Sequence, residues 1–300
     1  MAHEQQQERK LDKSHVSVMP QEVLAALDVK NGEIVVDATY GQGGHSALLK
    51  KAAKIKLVAL DADPSAGAGV VEANFGDLAH VAADLGITHI DKALFDLGWN
   101  RGQLSAGRGF SFMTDEPLNM SYGPKPRSGF VAAEILNTFK EKALADIFFG
   151  YGEERYARRI ASKVVERRES KPFATTLEFV EVLRDAVPAA YRRGRIHPAT
   201  RSFQALRMAI NDELGAIEQG IAAAWALLAP GGRIAVITFH SIEDRLVKRM
   251  FAKLVKEEDS KDKGKLIYKK PLIPSASETK ANPASRSAKL RTIEKICQEN

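Results

Sequence analysis

Three aspartates stand where ligand-binding or catalytic acids are often found. Asp37, Asp61 and Asp96 each end a short aliphatic-rich run, and such runs are typical of buried strands. In an open α/β sheet, ligands bind at the carboxyl ends of the parallel strands. We therefore expect these carboxylates near one ligand-binding edge.

A glycine-rich turn follows the first of these acids. Gly41, Gly43 and Gly44 precede an apolar-spaced segment that begins after His45, which is the pattern of a strand, a tight turn and a helix N-terminus. Glycine permits a positive φ and lets a ligand approach the backbone closely. The turn therefore predicts a nucleotide-like cofactor.

Two cofactors fit such a turn. A dinucleotide fingerprint would need glycine where the chain has Ser46, and its pyrophosphate would be repelled by Asp37. S-Adenosylmethionine carries an ammonium and a sulfonium but no phosphate, so a carboxylate there is favourable. Asp61 is suited to accept the ribose hydroxyls of either ligand. The residues favour S-adenosylmethionine, and an NAD-dependent dehydrogenase is the weaker alternative.

Length and composition set broad limits. The chain has 300 residues, one cysteine and no stretch near the ~20 apolar residues of a membrane span. A disulfide framework and a cysteine-based metal site are excluded. Residues 1–14 are polar and contain no signal-peptide core. We expect a disordered N-terminal tail on a soluble, cytoplasmic protein with no membrane partner.

The net charge of +6 is concentrated in two regions. Residues 151–201 hold 12 basic against 7 acidic side chains, and residues 241–300 hold 15 against 9, whereas the remainder is slightly acidic. Basic regions beside an acidic cofactor region fit a polyanionic substrate. A charged run is equally typical of a solvated face, so charge alone does not decide between the two.

The predicted elements form an α/β pattern interrupted by helices. Strands and helices alternate in the first third of the chain. A loop rich in Gly, Ser and Pro then covers residues 99–126, and helices fill residues 128–195. We predict a mostly parallel, Rossmann-like sheet formed by residues 15–110 and 198–300, with an active-site loop and an inserted all-helical domain at 111–197.

Three further features of the sequence make specific structural predictions. The crossover after Asp63 is too short for a full helix. Apolar residues recur at helical spacing from Phe203 to Leu228, which predicts one continuous helix. The last 35 residues are expected to supply a closing pair of strands.

Motifs spread over nearly the whole chain carry a family resemblance. They are Gly-Gln-Gly-Gly-His-Ser at 41–46, Leu-Asp-Ala-Asp-Pro at 60–64, Asp-Leu-Gly at 96–98, Arg-Gly-Phe-Ser-Phe at 108–112, Tyr-Gly-Glu-Glu-Arg at 151–155, His-Pro-Ala-Thr-Arg-Ser-Phe-Gln at 197–204 and Phe-His-Ser-Ile-Glu-Asp-Arg at 239–245. On these motifs the chain resembles the bacterial RsmH (MraW) family of 16S rRNA cytosine-N4 methyltransferases. The resemblance implies a class I S-adenosylmethionine-dependent methyltransferase fold with an inserted all-helical substrate-recognition domain. It also implies 16S rRNA or the small ribosomal subunit as the partner.

The resemblance assigns the methyl-donor contacts. It implies that the donor is held by Gly43, Gly44, His45, Asp61, Phe75, Asp96 and Gln103. The turn itself adds Asp37 and Gly41 to this set. Asp96 is also the predicted catalytic residue, because its carboxylate could accept a hydrogen bond from the target amine. No metal site is implied, and His240 and Glu243 are interpreted as structural or substrate-facing.

Basic side chains are predicted to hold the RNA. The predicted substrate-binding residues are Arg108, Arg155, Arg158, Arg159, Arg192, Arg193, Arg195, His197 and Arg201, with further phosphate contacts from Arg167 and Arg168. A homodimer is compatible with the sequence.

The chain also departs from the family pattern. Trp99, Asn100 and Arg101 replace a small residue and two serines, and Asn119 and Ser121 replace an acid and a base. These changes keep two alternatives open. One is a catalytically weak, cofactor-binding homologue that binds RNA or the ribosome, and the other is an amino-methyltransferase that acts on another nucleic-acid base.

Overall fold

The computed structural model describes residues 16–98, 107–256 and 262–297, and its centre is a seven-stranded sheet. The strands are β1 Ile34–Asp37, β2 Lys56–Asp61, β3 Val71–Glu72, β4 Ile90–Asp96, β5 Leu228–Thr238, β6 Asp262–Leu266 and β7 Lys289–Cys297. They lie in the order β3-β2-β1-β4-β5-β7-β6, with β7 antiparallel to both neighbours and the other pairs parallel. The predicted mostly parallel sheet is confirmed. A closing strand pair is present, but its first strand, β6, begins before the last 35 residues, in which the pair was expected.

The central strands are apolar because helices cover both faces of the sheet. Val36 and Phe95 contribute to one apolar core, whereas Val35 and Leu94 contribute to the core on the opposite face. A parallel sheet that is buried on both faces needs this nearly continuous apolar sequence. The arrangement places Asp37, the last residue of β1, at the same edge as the ends of β2 and β4.

In the described ranges, five helices pack beside the sheet: α1 Pro20–Leu27, α2 Gly44–Ala52, α3 Leu78–Asp84, α10 Glu213–Leu227 and α11 Ser241–Lys256. The short helix α12 Ala276–Ala281 lies beside the cavity. The crossover between β2 and β3 holds only a 3-10 turn at Pro64–Ala66, which confirms that this connection is truncated. None of the helices in the described ranges combines the length and apolar character needed to cross a bilayer.

Six further helices form a separate cluster: α4 Ala132–Thr138, α5 Glu141–Gly152, α6 Ala157–Ser170, α7 Thr176–Ala186, α8 Ala189–Arg192 and α9 Thr200–Ile210. Phe148, Phe179 and Phe203 stack at its centre, with ring centroids 6.0 Å and 5.6 Å apart. The apolar core of this cluster extends to Ile210. The division at residues 111–197 stays a prediction, and this packing favours an end nearer residue 210.

The predicted single helix over residues 203–228 is wrong, because the chain breaks between α9 and α10. Asp212 has a φ of 45°, in the left-handed region that Asn and Asp tolerate best among residues with a Cβ. Asn211 holds the break through its side-chain amide, which donates to the Met120 carbonyl over 2.8 Å and accepts from the Tyr122 N–H over 2.9 Å. Apolar periodicity could not reveal the break because both helices present an apolar face.

Candidate active site

A cavity of about 720 Å³ lies at the carboxyl ends of β1, β2 and β4. Its volume is in the range of small-molecule sites. One side, called here the strand-end wall, contains Thr39, Gly41, Gly44, His45, Asp61, Phe75 and Asp96. The facing side, called here the helical wall, contains Phe110, Phe112, Tyr122, Phe203, Arg207 and Glu213. Residues 16–18 and 281–284 close a third side.

The glycine turn forms part of the strand-end wall. Gly41 and Gly43 have φ values of +55° and +75°. A Cβ on Gly43 would lie 2.5 Å from the Tyr40 ring, and one on Gly44 would lie 2.1 Å from Ser17 Oγ. A Cβ at either position would therefore have to displace the neighbouring side chain, and at Gly43 the positive φ adds backbone strain.

Asp61 links the ends of two strands at this turn. Its Oδ2 accepts from the Gly41 N–H over 2.6 Å, and its Oδ1 accepts from the Asp63 N–H over 2.8 Å. Burial raises the pKa of Asp61 and outweighs these amide hydrogen bonds, which lower it. Phe75 lies nearby with its ring edge-to-face against Phe95 at 5.9 Å, and it lines the cavity.

Asp96 and His45 are paired within the strand-end wall. Gly98 N–H donates to Asp96 Oδ1 over 3.1 Å, whereas Asp96 Oδ2 lies 3.4 Å from His45 Nε2. Thr39 Oγ1 accepts from the Asp96 N–H over 2.7 Å and so fixes the strand end. Burial acts to lower the pKa of His45, but Asp96, and more weakly Asp37, outweigh it and the pKa is raised.

Asp37 lies behind the turn and does not line the cavity. Its side chain is 1% exposed and accepts from Ser46 Oγ over 2.6 Å and from the Thr39 N–H over 3.3 Å. Burial raises its pKa, against the effect of Ser46 and of the neighbouring His45. Because Ser46 is in the first turn of α2, this carboxylate holds the helix start that carries His45. A direct contact with the cofactor stays a prediction.

The helical wall contains a buried polar network that the sequence did not reveal. Arg207 donates to both carboxylate oxygens of Glu213, from Nε over 2.7 Å and from Nη2 over 2.8 Å. Tyr122 O–H donates to Glu213 Oε1 over 2.9 Å, and burial raises the pKa of Tyr122 well above its ordinary value. Tyr122 and Glu213 are 91 positions apart in the chain, so no local pattern could have joined them.

His240 and Glu243 form a reciprocal helix cap. Glu243 Oε2 accepts from the Phe239 and His240 N–H groups over 2.8 Å and 3.3 Å, and the Glu243 N–H donates to His240 Nδ1 over 3.4 Å. These are the two halves of a capping box at the start of α11. Together with Glu213 they bring three ligand-type atoms within 4.8 Å of one another. Arg207 already neutralises Glu213 there, so the charge does not favour a cation.

The predicted RNA-binding side chains divide into two groups. Arg158, Arg159, Arg192, Arg193 and Arg195 are exposed. The remaining arginines have partners within the fold. Arg108 pairs with Asp63 at 2.8 Å and donates to the Tyr122 carbonyl, and Arg201 donates to the Glu153 carbonyl.

The second group also includes arginines of the helical cluster. The Arg155 guanidinium is exposed and lies against the Tyr156 and Tyr191 rings, 4.9 Å and 4.8 Å from their centroids. Arg167 lies over the Phe173 ring, and Arg168 donates to two backbone carbonyls. If these arginines bind phosphates as predicted, they must do so while keeping their contacts within the fold.

Two predictions concern residues that the structure does not describe. Gln103 and the residues 99–101 lie outside the described ranges, as does the predicted tail at 1–14. Asn119 is described and exposed, and its Oδ1 accepts from the Ser121 N–H over 2.9 Å. Asn119 and Ser121, which stand where the family has an acid and a base, therefore form a local turn beside the helical wall.

The sequence matches the MraW methylase family over residues 12–296. The chain belongs to this family. It is 44% identical to the ribosomal RNA small subunit methyltransferase H of Carboxydothermus hydrogenoformans, over 94% of this chain and 98% of that protein. The protein of the same name from Geobacter sp. strain M21 is 43% identical, over 95% of this chain and 99% of that protein. An rRNA methylase structure from Streptococcus thermophilus is 13% identical, with a TM-score of 0.39 over 92% of this chain and 93% of that one.

The protein is therefore a methyltransferase, and S-adenosylmethionine is its methyl donor. The strand-end wall fits this donor in shape and charge. The turn leaves no side chain between Gly41 and the cavity, and Asp61 lines the cavity, where its contact with the ribose stays a prediction. His45 Nδ1 is buried without a hydrogen-bond partner among the described residues, which leaves it available to a ligand.

Proposed function

We propose that the protein transfers a methyl group from S-adenosylmethionine to the exocyclic N4 of a cytidine in 16S rRNA. The substrate class is supported by the names of relatives that align over almost their whole length. The observation that carries the chemistry is the position of Asp96, which ends β4 inside the donor cavity with one carboxylate oxygen turned towards His45. The predicted contacts of Gly43, Gly44, Phe75 and Gln103 belong to the same proposal.

The target amine needs help because its lone pair is delocalised into the cytosine ring. A hydrogen bond from N4–H to the Asp96 carboxylate would localise that lone pair and orient it. Bound S-adenosylmethionine supplies an electrophilic methyl group on its sulfonium. Orientation in a cavity that excludes water supplies most of the acceleration, because effective molarities of well-aligned groups reach about 10⁵ M or more. The amine proton leaves after the transfer.

The RNA is held by the exposed basic side chains of the helical cluster. Arg158 and Arg159 begin α6, and Arg192, Arg193 and Arg195 lie in and after α8. The contact between the Tyr156 and Tyr191 rings, with centroids 5.1 Å apart, brings these two segments together. They form a basic surface suited to a phosphate backbone, so binding should weaken steeply as salt rises.

Small ribosomal subunits from a strain that lacks the modification provide the test. They are incubated with methyl-labelled S-adenosylmethionine and the protein, and the rRNA is digested to nucleosides. Label in N4-methylcytidine supports the proposal. Label in another methylated nucleoside would show that the target is not cytidine N4. Donor binding without any transfer would favour a catalytically weak RNA-binding homologue.

Asp96→Asn tests the role of the carboxylate. The variant keeps the size of the side chain and removes its charge, so we expect turnover to fall by about 100-fold or more. Donor affinity should change less. Unchanged turnover would contradict the assignment of Asp96. A cytoplasmic location follows from this proposed substrate.

A further inference from the structure

A half-buried stack of two rings lies beside the cavity and has no place in the chemistry above. The His197 and Phe112 rings are almost parallel, with centroids 4.7 Å apart and an interplanar angle of 4°. Phe112 also packs edge-to-face on Phe203 at 5.5 Å, and both phenylalanines line the cavity. The stack therefore connects the cavity to the surface at His197.

The His197 ring is held in a fixed orientation. Its Nδ1 accepts from the Ala199 N–H over 3.2 Å, and its carbonyl accepts from the Thr200 N–H over 3.0 Å at the start of α9. The remaining proton of a neutral imidazole is therefore on Nε2. Burial, with a smaller effect of the Arg184 charge, lowers the pKa of His197. At neutral pH the ring is an uncharged aromatic surface and not a cation for phosphate.

Exposed apolar side chains adjoin the stack in the chain, beside the basic segment. Met113 is 74% exposed and Ile196 is 48% exposed, and each is next in the chain to one member of the stack. Arg192, Arg193 and Arg195 precede them and are exposed. Apolar and aromatic side chains beside free cations are the composition of a single-strand nucleic-acid platform, on which bases stack while cations track phosphates.

We propose that Met113, Ile196 and His197, called here the ledge, bind an unpaired RNA base next to the target nucleotide. The base stacks on the His197 ring and the two apolar side chains, and the three arginines bind its flanking phosphates. An unpaired base is required because a base within a duplex has both faces already stacked. Stacking does not read base identity, so the ledge would position the strand without choosing its sequence. This inference rests on the proposed RNA substrate.

The test uses a short single-stranded oligoribonucleotide in which the fluorescent base 2-aminopurine adjoins a cytidine. Stacking quenches the fluorescence of 2-aminopurine, so titration with the full-length protein reports both the binding affinity and whether the base is stacked. We expect quenching with wild type and a loss of affinity of about 5- to 100-fold for His197→Ala. His197→Phe should retain quenching and most of the affinity, because it keeps the ring and removes the polar atoms.

A second substitution avoids any effect on folding. Ile196→Asp adds a charge to an exposed ledge position and should weaken binding by more than tenfold. Leu85→Asp is the matched control, since Leu85 is 51% exposed and follows α3, away from the ledge, and it should leave binding unchanged. Binding of His197→Ala or Ile196→Asp at the wild-type level would overturn the proposal, as would a His197→Phe variant as weak as His197→Ala.

The outcomes also separate the ledge from the reaction. Normal rRNA methylation by Ile196→Asp would overturn the ledge and leave the proposed function intact. If wild type does not methylate rRNA, but His197→Ala and Ile196→Asp still bind the oligonucleotide more weakly than wild type, the proposed function is overturned and the ledge is supported. Variants that lose binding to whole subunits but bind the oligonucleotide normally would assign the ledge to a protein contact and overturn the RNA proposal.

Discussion

The two walls of the cavity are built in different ways. In the strand-end wall, Asp61 accepts from Gly41 and Asp96 donates to Thr39, over separations of 20 and 57 residues. In the helical wall, the Tyr122 side chain reaches Glu213 over 91 residues. The contacts of the first wall join residues at the ends of neighbouring strands of one sheet, whereas those of the second join a loop to two helices that pack against it. Substitutions in the first should mainly change donor binding, and substitutions in the second should mainly change stability.

The largest expected effect is that of Arg207→Ala on the helical wall. The substitution leaves the Glu213 carboxylate buried without its cation, which typically costs about 3–5 kcal/mol. Urea unfolding at neutral pH measures the loss. Arg245→Ala is the control, because Arg245 and Glu153 form an exposed pair that should be worth about 1 kcal/mol or less. Equal losses in the two variants would show that burial does not make the Arg207–Glu213 pair more important than an exposed pair.

The next effect is that of Gly44→Ala on the strand-end wall. The new Cβ would lie 2.1 Å from Ser17 Oγ and displace the segment that closes the cavity. We expect donor affinity, measured by calorimetry, to fall by about tenfold or more, which is about 1.4 kcal/mol. Adding Ser17→Ala removes the clashing oxygen and should restore most of the affinity.

A matched control for that variant is Gly150→Ala. Gly150 lies in α5 with open space around it, so the substitution should leave donor affinity unchanged and stabilise the fold slightly. Wild-type donor affinity in Gly44→Ala would show that the closing segment does not contribute to the donor site.

A smaller effect is expected where α11 meets β7. Asp244 accepts from Arg291 Nε over 2.8 Å and from Lys289 Nζ over 3.1 Å. Burial acts to raise the pKa of Asp244, but these cations outweigh it and the pKa is lowered. Asp244→Asn should cost about 1–2 kcal/mol in urea unfolding at pH 7. A carboxyl with a lowered folded-state pKa loses its stabilising contribution as pH falls below its ordinary pKa of 3.8, so a loss that stays undiminished below that pH would contradict an ionic origin.

The smallest effect concerns the cap of α7, away from the cavity. Hydrogen bonding from Lys171, aided by the Ala174 and Thr175 amides, lowers the pKa of Glu178 from 4.5 to about 2. A carboxyl with a lowered folded-state pKa stabilises the fold above its unfolded pKa and loses that contribution as pH falls. Glu178→Gln should therefore cost up to about 1 kcal/mol at pH 7, with the difference shrinking between pH 4.5 and pH 2.

Urea unfolding of wild type and Glu178→Gln at several pH values measures this difference. Donor affinity at pH 7 should be the same for both proteins, because the cap belongs to the helical cluster. A pH-independent difference would show that the charge of Glu178 is not what stabilises the cap.

Sequence reasoning was most successful where the signal is local. The strand ends at Asp61 and Asp96, the glycine turn, the truncated crossover and the closing strands were all predicted, because alternation, β-branching and glycine act within a few residues. It was wrong at Asn211 and Asp212, where side-chain contacts to the distant segment 120–122 end a helix that apolar periodicity would continue.

The sequence by itself determined the α/β class, the acid-ended strands and the family, because these depend on residue type and spacing along the chain. Only the tertiary structure decided where each charged side chain lies and which residue it contacts. It placed Asp37 behind the turn and paired Arg207 with Glu213 against Tyr122. The physical reason is that a charge buried on folding must find a partner, and that partner is fixed by how segments pack rather than by their order in the sequence.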